Sequence, residues 1–513
     1  MNPPENRPTK SALYALLVLV AFGALRAAPE RAIVWHDEVF TQVFASGRSG
    51  DDWLPLFDGV VRPIRALQHA RTFDRTQGVA ETAAGLARDE PQHPPLYYAA
   101  ARAWTSLNPT TFANLDGGLY WLRWLSVLSS LLALLGVAWL GRELAPSRAL
   151  RRVLPLLFAV SPVFVLFSLE AREYALWVAA FAASSAALLR ARRTRRRMHY
   201  ALYAFLMATC FYVSLSSLSI ALAHTLYVVW NAARSRSRAG VVAFALCGAG
   251  ALPLFAPWAH LLVQNWDALA ASTAWMATIE IPRAELLGTF GLNLGRTFFD
   301  NGADALGQWG ALIIVLTLVP PLAWLTRALR KGEDAARFAL CLFAGPVLLL
   351  LMPDLLAGGI RSVSTRYLLP SLLALLVMAA FAIARRPKGA AALLVLMAGS
   401  SIFITQARAP WTKGLSTELP AIAAEINAHA EPLIVVDHER HHPGNMLALC
   451  GLLAPDAFVQ LLPTVEEYAL PPHPGPVFLF SPNPRFVDEL AAQRGRPPEL
   501  LVEHLHASLW RVR

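Results

Sequence analysis

The sequence predicts a mainly α, polytopic membrane protein of about eleven transmembrane helices, with a small external α/β domain at its C-terminal end. Three observations carry that prediction. Of the 513 residues, 56% are hydrophobic and only 16% charged, with a mean hydropathy of +0.43. The apolar residues fall in long charge-free runs rather than alternating with polar ones, which marks membrane-spanning helices. The excess Arg and Lys behind the net charge of +10 sit in short segments between those runs. Membrane topology explains that placement better than nucleic-acid binding does.

Residues 1–10 are polar, and Ser11 to Ala28 form the first apolar run. A cleaved signal peptide is the alternative, since Leu25-Arg26-Ala27-Ala28 loosely resembles a cleavage site, but Arg26 spoils it. A retained helix also puts Asp37 and Glu38 just outside the membrane. Residues 29–118 read as a long external segment, and segments of that length in compact proteins are usually functional. Within it, Phe73 to Ala87 fits an amphipathic helix lying on the membrane surface. Ten further runs follow: Leu119–Leu140, Val153–Ser168, Tyr174–Leu189, His199–Val213, Leu218–Trp230, Val241–Val263, Trp309–Leu325, Phe338–Met352, Tyr367–Ala384 and Ala390–Thr405. Tyr200 to Trp230 is too long for one span, so Ser214-Leu215-Ser216-Ser217 is read as a hairpin tip. Cys210, Cys247 and Cys341 lie in apolar runs and Cys450 is alone in the tail, so no structural disulfide is expected.

Charge sets the orientation. With a cytoplasmic N-terminus, the inside segments are Gly141–Arg152, Arg190–Met198, Asn231–Gly240, Thr326–Arg337 and Arg385–Lys388, and every one is rich in arginine or lysine. That is the positive-inside pattern, and a single missed helix would invert all later segments. The external face of the plasma (inner) membrane then holds residues 29–118, Leu169–Glu173, Gln264–Gln308, Pro353–Thr365 and the tail from Gln406. In the tail, Glu418 to Ala430 has helical spacing, Leu433–Val436 and Val477–Phe480 read as buried strands, and Leu500 to Val512 holds another strand. This divides the chain into a membrane domain, 1–405, and an external α/β domain, 406–513. Asp437-His438-Glu439-Arg440-His441-His442 follows a strand, where α/β sheets tend to bind ligands, though a solvated loop is the plainer reading.

The polar clusters gather on the external face. Trp35-His36-Asp37-Glu38 follows the first helix, and Asp89-Glu90-Pro91-Gln92-His93-Pro94-Pro95-Leu96-Tyr97-Tyr98 comes about fifty residues later. Ser168-Leu169-Glu170-Ala171-Arg172-Glu173-Tyr174 joins two spans, and carboxylates with an arginine at a membrane boundary are costly unless paired or functional. Arg361-Ser362-Val363-Ser364-Thr365-Arg366-Tyr367 puts two arginines on the outer side, against the positive-inside pattern. An anionic partner such as a phosphate fits guanidinium geometry there, while snorkelling toward headgroups is the alternative.

These clusters resemble the GT-C superfamily of integral-membrane glycosyltransferases. The similarity is to the family 39 branch, with its protein O-mannosyltransferases and lipid A aminoarabinose transferases. It rests on Asp37-Glu38, His93-Pro94-Pro95-Leu96-Tyr97-Tyr98, Leu122-Arg123-Trp124-Leu125-Ser126, Ser168 to Leu176 and Arg366-Tyr367-Leu368-Leu369-Pro370, and covers roughly residues 11–405. One departure stands out: relatives often carry Thr-His at the hairpin tip where this chain has Val213-Ser214. The resemblance implies a polyprenyl-phosphate-linked sugar as donor and a glycan, lipid or protein acceptor. Phosphate is a good leaving group, so the chemistry needs a carboxylate to take the acceptor's proton and cations to hold the phosphate. Asp37 is the expected base, with Glu38 positioning the acceptor or sharing that role. Arg172 and Arg366 are expected at the phosphate. Glu90, His93, Tyr98, Glu170, Tyr174 and Tyr367 are expected to line the substrate cleft. Some GT-C enzymes use a divalent metal and others do not; Asp37, Glu38, Glu90 and His93 are the oxygen-rich set that could hold one. A transporter or flippase of lipid-linked sugars is the rival reading. It would be expected to show inverted repeats and charged mid-membrane helices, whereas here the charges collect at the outer boundary.

Overall fold

The computed structural model describes residues 10–108, 115–144, 147–236, 239–300, 307–384, 386–437, 443–463, 470, 472–504 and 507–512. Arg238, Arg385 and His438 to His442, which the sequence reading used, lie outside them. The chain forms two compact units. One comprises Met1–Pro29, Glu90–Tyr97 and Ser126–Ala407; the other comprises Glu30–Asp89, Tyr98–Leu125 and Arg408–Arg513.

The first unit is a helical bundle, and the chain is an integral membrane protein. Eight helices among the described residues are long and apolar enough to cross a bilayer, and a bent pair makes nine. Each of the eleven expected runs is helical. The two left over, Arg197–Val213 and Leu218–Ser235, have 17 and 18 residues and form a hairpin through the short turn Leu215–Ser217, where the Ser214 side chain accepts from Ser216 N. They are short or less apolar, with Asn231 and Arg234 in the last turns of the second, yet 17 residues reach the lower limit for a span.

Local sequence explains the bent pair. Arg148–Ala159 and Pro162–Ser168 meet at 54°. Pro162 lacks an amide hydrogen and disfavours helical geometry in the residue before it, so the helix restarts there. Neighbouring segments pair with polar groups at the break: the Ser401 hydroxyl donates to the Val160 carbonyl at 2.8 Å, and the Ser161 hydroxyl donates to the Thr297 carbonyl at 2.7 Å. That accounting is obligatory where no water is at hand. Tyr174–Thr194 and Leu369–Ile383 are buried almost throughout, whereas Ala239–Gln264 is buried at almost none of its apolar positions, as a lipid-facing helix should be. Helix Asp334–Pro346 lies against Leu218–Ser235 so closely that a Cβ on Gly345 would sit 2.2 Å from the Ser219 carbonyl oxygen.

The second unit is α/β. Its six strands are β1 (Val61–Pro63), β2 (Leu433–Asp437), β3 (Phe458–Leu462), β4 (Val477–Phe480), β5 (Glu499–His504) and β6 (Ala507–Arg511). The sheet order is β1-β3-β2-β4-β6-β5. β2 runs parallel to both β3 and β4, while β1, β5 and β6 pair antiparallel. The expected strands in the tail are present, and so is the expected helix, as Leu419–Asn427. β1 comes from the 29–118 segment, so the sheet is not confined to residues 406–513. Leu433, Val435, Leu462, Leu479, Phe486 and Leu490 form its core.

Within the same unit, the helix expected over Phe73–Ala87 is Val79–Asp89. It does not offer its apolar side to a lipid surface. Gly85, Leu86 and Ala87 are buried, the helix packs on His36–Ala45, and Thr82 Oγ1 donates to the Phe44 carbonyl at 3.0 Å. The amphipathic period is real, but a protein neighbour uses it.

Candidate functional site

The α/β unit holds the Asp37-Glu38 pair in the first turn of helix His36–Ala45. Carboxylates suit that position because the helix N-terminus carries partial positive charge. Glu38 is wholly buried and bound by two cations. Arg123 Nε reaches its Oε1 at 2.7 Å, Arg123 Nη2 reaches Oε2 at 2.6 Å, and Lys413 Nζ reaches Oε2 at 2.6 Å. Arg123 also donates to the Ala32 and Ile33 carbonyls, each at 2.8 Å, which ties the chain just before the motif to the same guanidinium. Lys413 lies 5.5 Å from the centre of the Trp35 ring. Burial pushes the Glu38 carboxyl upward, but the charges of Arg123 and Lys413 outweigh it and hold the group down at about 2. Glu38 is therefore a fixed anion and a weak base near neutral pH. Asp37 differs: its side chain keeps 16% exposure, with Oδ1 3.3 Å from His36 Nε2.

The membrane unit holds a second group at the turn between Pro162–Ser168 and Tyr174–Thr194. His93 Nδ1 is 3.5 Å from Glu173 Oε1, and His93 Nε2 is 3.3 Å from an Arg172 guanidinium nitrogen. Arg172 Nε lies 3.3 Å from Glu173 Oε2, and the Arg172 amide donates to the Glu170 carbonyl at 2.7 Å. Ser126 Oγ donates to the Arg172 carbonyl at 3.3 Å and is itself 3.0 Å from the Tyr97 hydroxyl. Arg366 donates to the Tyr174 hydroxyl at 3.3 Å and lies over the Tyr367 ring, while Arg172 lies 5.8 Å from the centre of the Tyr174 ring. Burial raises the Glu173 carboxyl, but Arg172 and His93 bring it down to about 2. Glu90 accepts from the Gln92 amide, and its carbonyl takes the His93 amide at 2.9 Å. A tight turn thus aims the histidine.

The membrane unit therefore brings His93, Arg172, Tyr174, Arg366 and Tyr367 into one chain of contacts, with Glu170 and Glu90 shaping the backbone around it. Tyr98 stands apart: it is 1% exposed, and its ring packs edge-on against Phe44 in the α/β unit. Three of the residues that pair as fixed charges in these groups, Arg123, Glu173 and Lys413, carried no expected role. Arg123 was visible as a charge inside an apolar run, which is itself a signal. Glu173 was visible as a second carboxylate in the boundary turn. Lys413 had no local signal, because its partner is 375 residues away.

Among the described residues, no group of three or more His, Cys, Asp or Glu side chains is arranged to hold a metal ion. Of the oxygen-rich set, Glu38 has both oxygens taken by Arg123 and Lys413, so that set does not fit a divalent cation. The four cysteines are free and buried.

No family model matches the sequence, and no curated protein does. Solved structures do. ArnT from Cupriavidus metallidurans bound to undecaprenyl phosphate superposes with a TM-score of 0.58 at 13% identity, over 98% of this chain and 98% of that chain. This chain has the GT-C fold. The apo state of the same ArnT gives a TM-score of 0.58 at 12% identity and the same coverage. The apo Archaeoglobus fulgidus oligosaccharyltransferase gives 0.50 at 11% identity, over 90% of this chain and 65% of that one. At such identities the likeness speaks for the GT-C fold, and function rests on the residues.

Proposed function

We propose that this chain is a glycosyltransferase that moves a sugar from a polyprenyl-phosphate-linked donor to an acceptor hydroxyl on the external face of the membrane. The observation that carries the reading is the pair of guanidiniums, Arg172 and Arg366, gathered on Tyr174 beside His93 at the end of the membrane helices, and the likeness in fold to ArnT, solved with undecaprenyl phosphate bound, agrees with it. The polar groups support it. In a single displacement, Asp37 takes the proton from the acceptor hydroxyl as its oxygen bonds to the anomeric carbon. The bond from that carbon to the phosphate oxygen breaks, and the electron pair leaves with the lipid phosphate. Arg172 and Arg366 offset the charge that builds there. Attack opposite the leaving group inverts the anomeric centre. Glu38 holds Arg123 and Lys413 and so fixes the helix turn that carries Asp37. His93, Glu173 and Tyr174 orient the two guanidiniums.

The sugar is a hexose or pentose, and the acceptor a glycan, a lipid or a protein. The test is transfer of label from radiolabelled polyprenyl-phosphate sugars by purified protein. Label moving to an acceptor with release of polyprenyl phosphate supports the reading. Transbilayer movement of intact donor in proteoliposomes without any transfer supports a flippase and overturns it.

A further inference from the structure

Two adjoining cavities open in the membrane unit, away from the groups described above. The first, about 310 Å³, is lined by Arg192, Arg195, Tyr200, Ser235 and Gly240. The second, about 700 Å³, shares Arg195 and Tyr200 and adds Arg197, Ala204, Phe205, Leu246, Gly250 and Leu254. All four helices that meet there turn at one end of the bundle: Tyr174–Thr194 and Leu218–Ser235 finish there, and Arg197–Val213 and Ala239–Gln264 begin there. The cavities thus grade from guanidinium at the helix ends to an apolar wall, Cys247 included, along the helix flanks.

Acidic side chains meet only part of the charge at the mouth. Glu143 takes Arg190 and Arg193. Among the described residues no salt bridge takes Arg192, Arg195 or Arg197. Arg192 instead lies 5.0 Å from the centre of the Tyr227 ring, and Gly240, in the first turn of Ala239–Gln264, lies close enough that a Cβ there would be 3.6 Å from its terminal nitrogen. Below the mouth the walls are apolar and open: Phe205 is 60% exposed, Leu246 68% and Leu254 49%. From Arg197 to Phe205 is about 12 Å along a helix, and from Ala243 to Leu254 about 16 Å, at 1.5 Å per residue. Half of a hydrocarbon core of ~30 Å is the same length, so the groove matches one acyl chain in one leaflet.

We propose that this groove is a binding site for an anionic glycerophospholipid, with the phosphate on Arg192, Arg195 and Arg197 and one acyl chain between Arg197–Val213 and Ala239–Gln264. A guanidinium fork suits a phosphate diester, and three guanidiniums together favour a headgroup that keeps its net negative charge over one whose own ammonium cancels it. The site is independent of the sugar-transfer reading and lies on other residues.

The test uses delipidated full-length protein, with binding read by native mass spectrometry and by thermal shift. Phosphatidylglycerol should bind and stabilise at least about tenfold better than phosphatidylcholine with the same acyl chains. The variant Arg192→Gln, Arg195→Gln, Arg197→Gln should lose that preference. A control that removes equal charge elsewhere, Arg327→Gln, Arg330→Gln, Lys331→Gln, should keep it. A Cβ on Gly250 meets nothing within 4 Å, so Gly250→Leu fills the groove without disturbing the packing and should weaken lipid retention while leaving every arginine in place. Gly250→Leu alone decides the matter if the triple variant fails to fold. Equal loss in both triple variants would mean diffuse surface charge. Stabilisation by inorganic phosphate as strong as by phosphatidylglycerol, or a Gly250→Leu protein with undiminished retention, would overturn the acyl-chain site.

Discussion

At Glu38 a wholly buried carboxylate meets two cations, and its task follows from that. Replacing it by Gln removes the charge and leaves Arg123 and Lys413 buried together. Loss of one partner from a buried ion pair typically costs about 3–5 kcal/mol. Because the folded-state value of about 2 lies below the usual 4.5, Glu38 stabilises the fold fully above pH 4.5, and the benefit fades as pH falls toward 2. The thermal midpoint of Glu38→Gln should therefore lie well below wild type at pH 7, with the gap narrowing between pH 4.5 and pH 2. A constant gap across that window would dissociate the effect from the charge. Asp37→Asn should leave the midpoint nearly unchanged and lower turnover by about 10²–10⁴-fold, the usual share of a general base. A well-folded Asp37→Asn protein at near wild-type rate would remove Asp37 from the chemistry. Arg366→Lys keeps the charge but loses the fork, so donor binding should weaken by titration calorimetry. Unchanged affinity in Arg366→Ala would reassign the residue to membrane anchoring.

At the scale of elements, apolar length and arginine placement were enough to place eleven runs that are all helical, eight or nine of them long and apolar enough to cross a bilayer among the described residues, because a span is written in contiguous sequence. The break at Ser161-Pro162 was not placed, though proline marks it, since the run reads as continuous hydrocarbon on either side. β3 carries an apolar run, Phe458–Leu462, that resembles its neighbours, but β1 has three residues and no signal of its own; it becomes a strand only because β3 offers it an edge. The residue groups divide in the same way. Arg172 and Glu173 are adjacent and were legible together, whereas Glu38 finds Arg123 85 residues on. One helix contact is testable directly. Gly345→Leu should push Asp334–Pro346 away from Ser219 and lower stability by about 1–3 kcal/mol or more, because the obstacle is backbone. Gly288→Leu, which meets nothing within 4 Å, is the matched control and should change little.

For the whole molecule, the alternation of basic segments fixes the expected sidedness: N-terminus in the cytoplasm, C-terminus outside. Reporter fusions after Arg197 and after Arg513 should read opposite sides, and agreement between them would mean that the number of crossings is even rather than odd.

The pairing of β1 with β3 has a consequence in time. Gln460 Nε2 donates to the Gly59 carbonyl across 401 residues, and Lys413 reaches Glu38 across 375. A ribosome adding about 5–20 residues per second needs about 20 s or more to travel that far. Throughout that interval the segment bearing Asp37 has emerged without its neighbouring strand and without its second cation. It can reach its working shape only when the last strands have been delivered to it. A nascent chain interrupted anywhere among the later helices therefore carries the carboxylate pair in an unfinished setting.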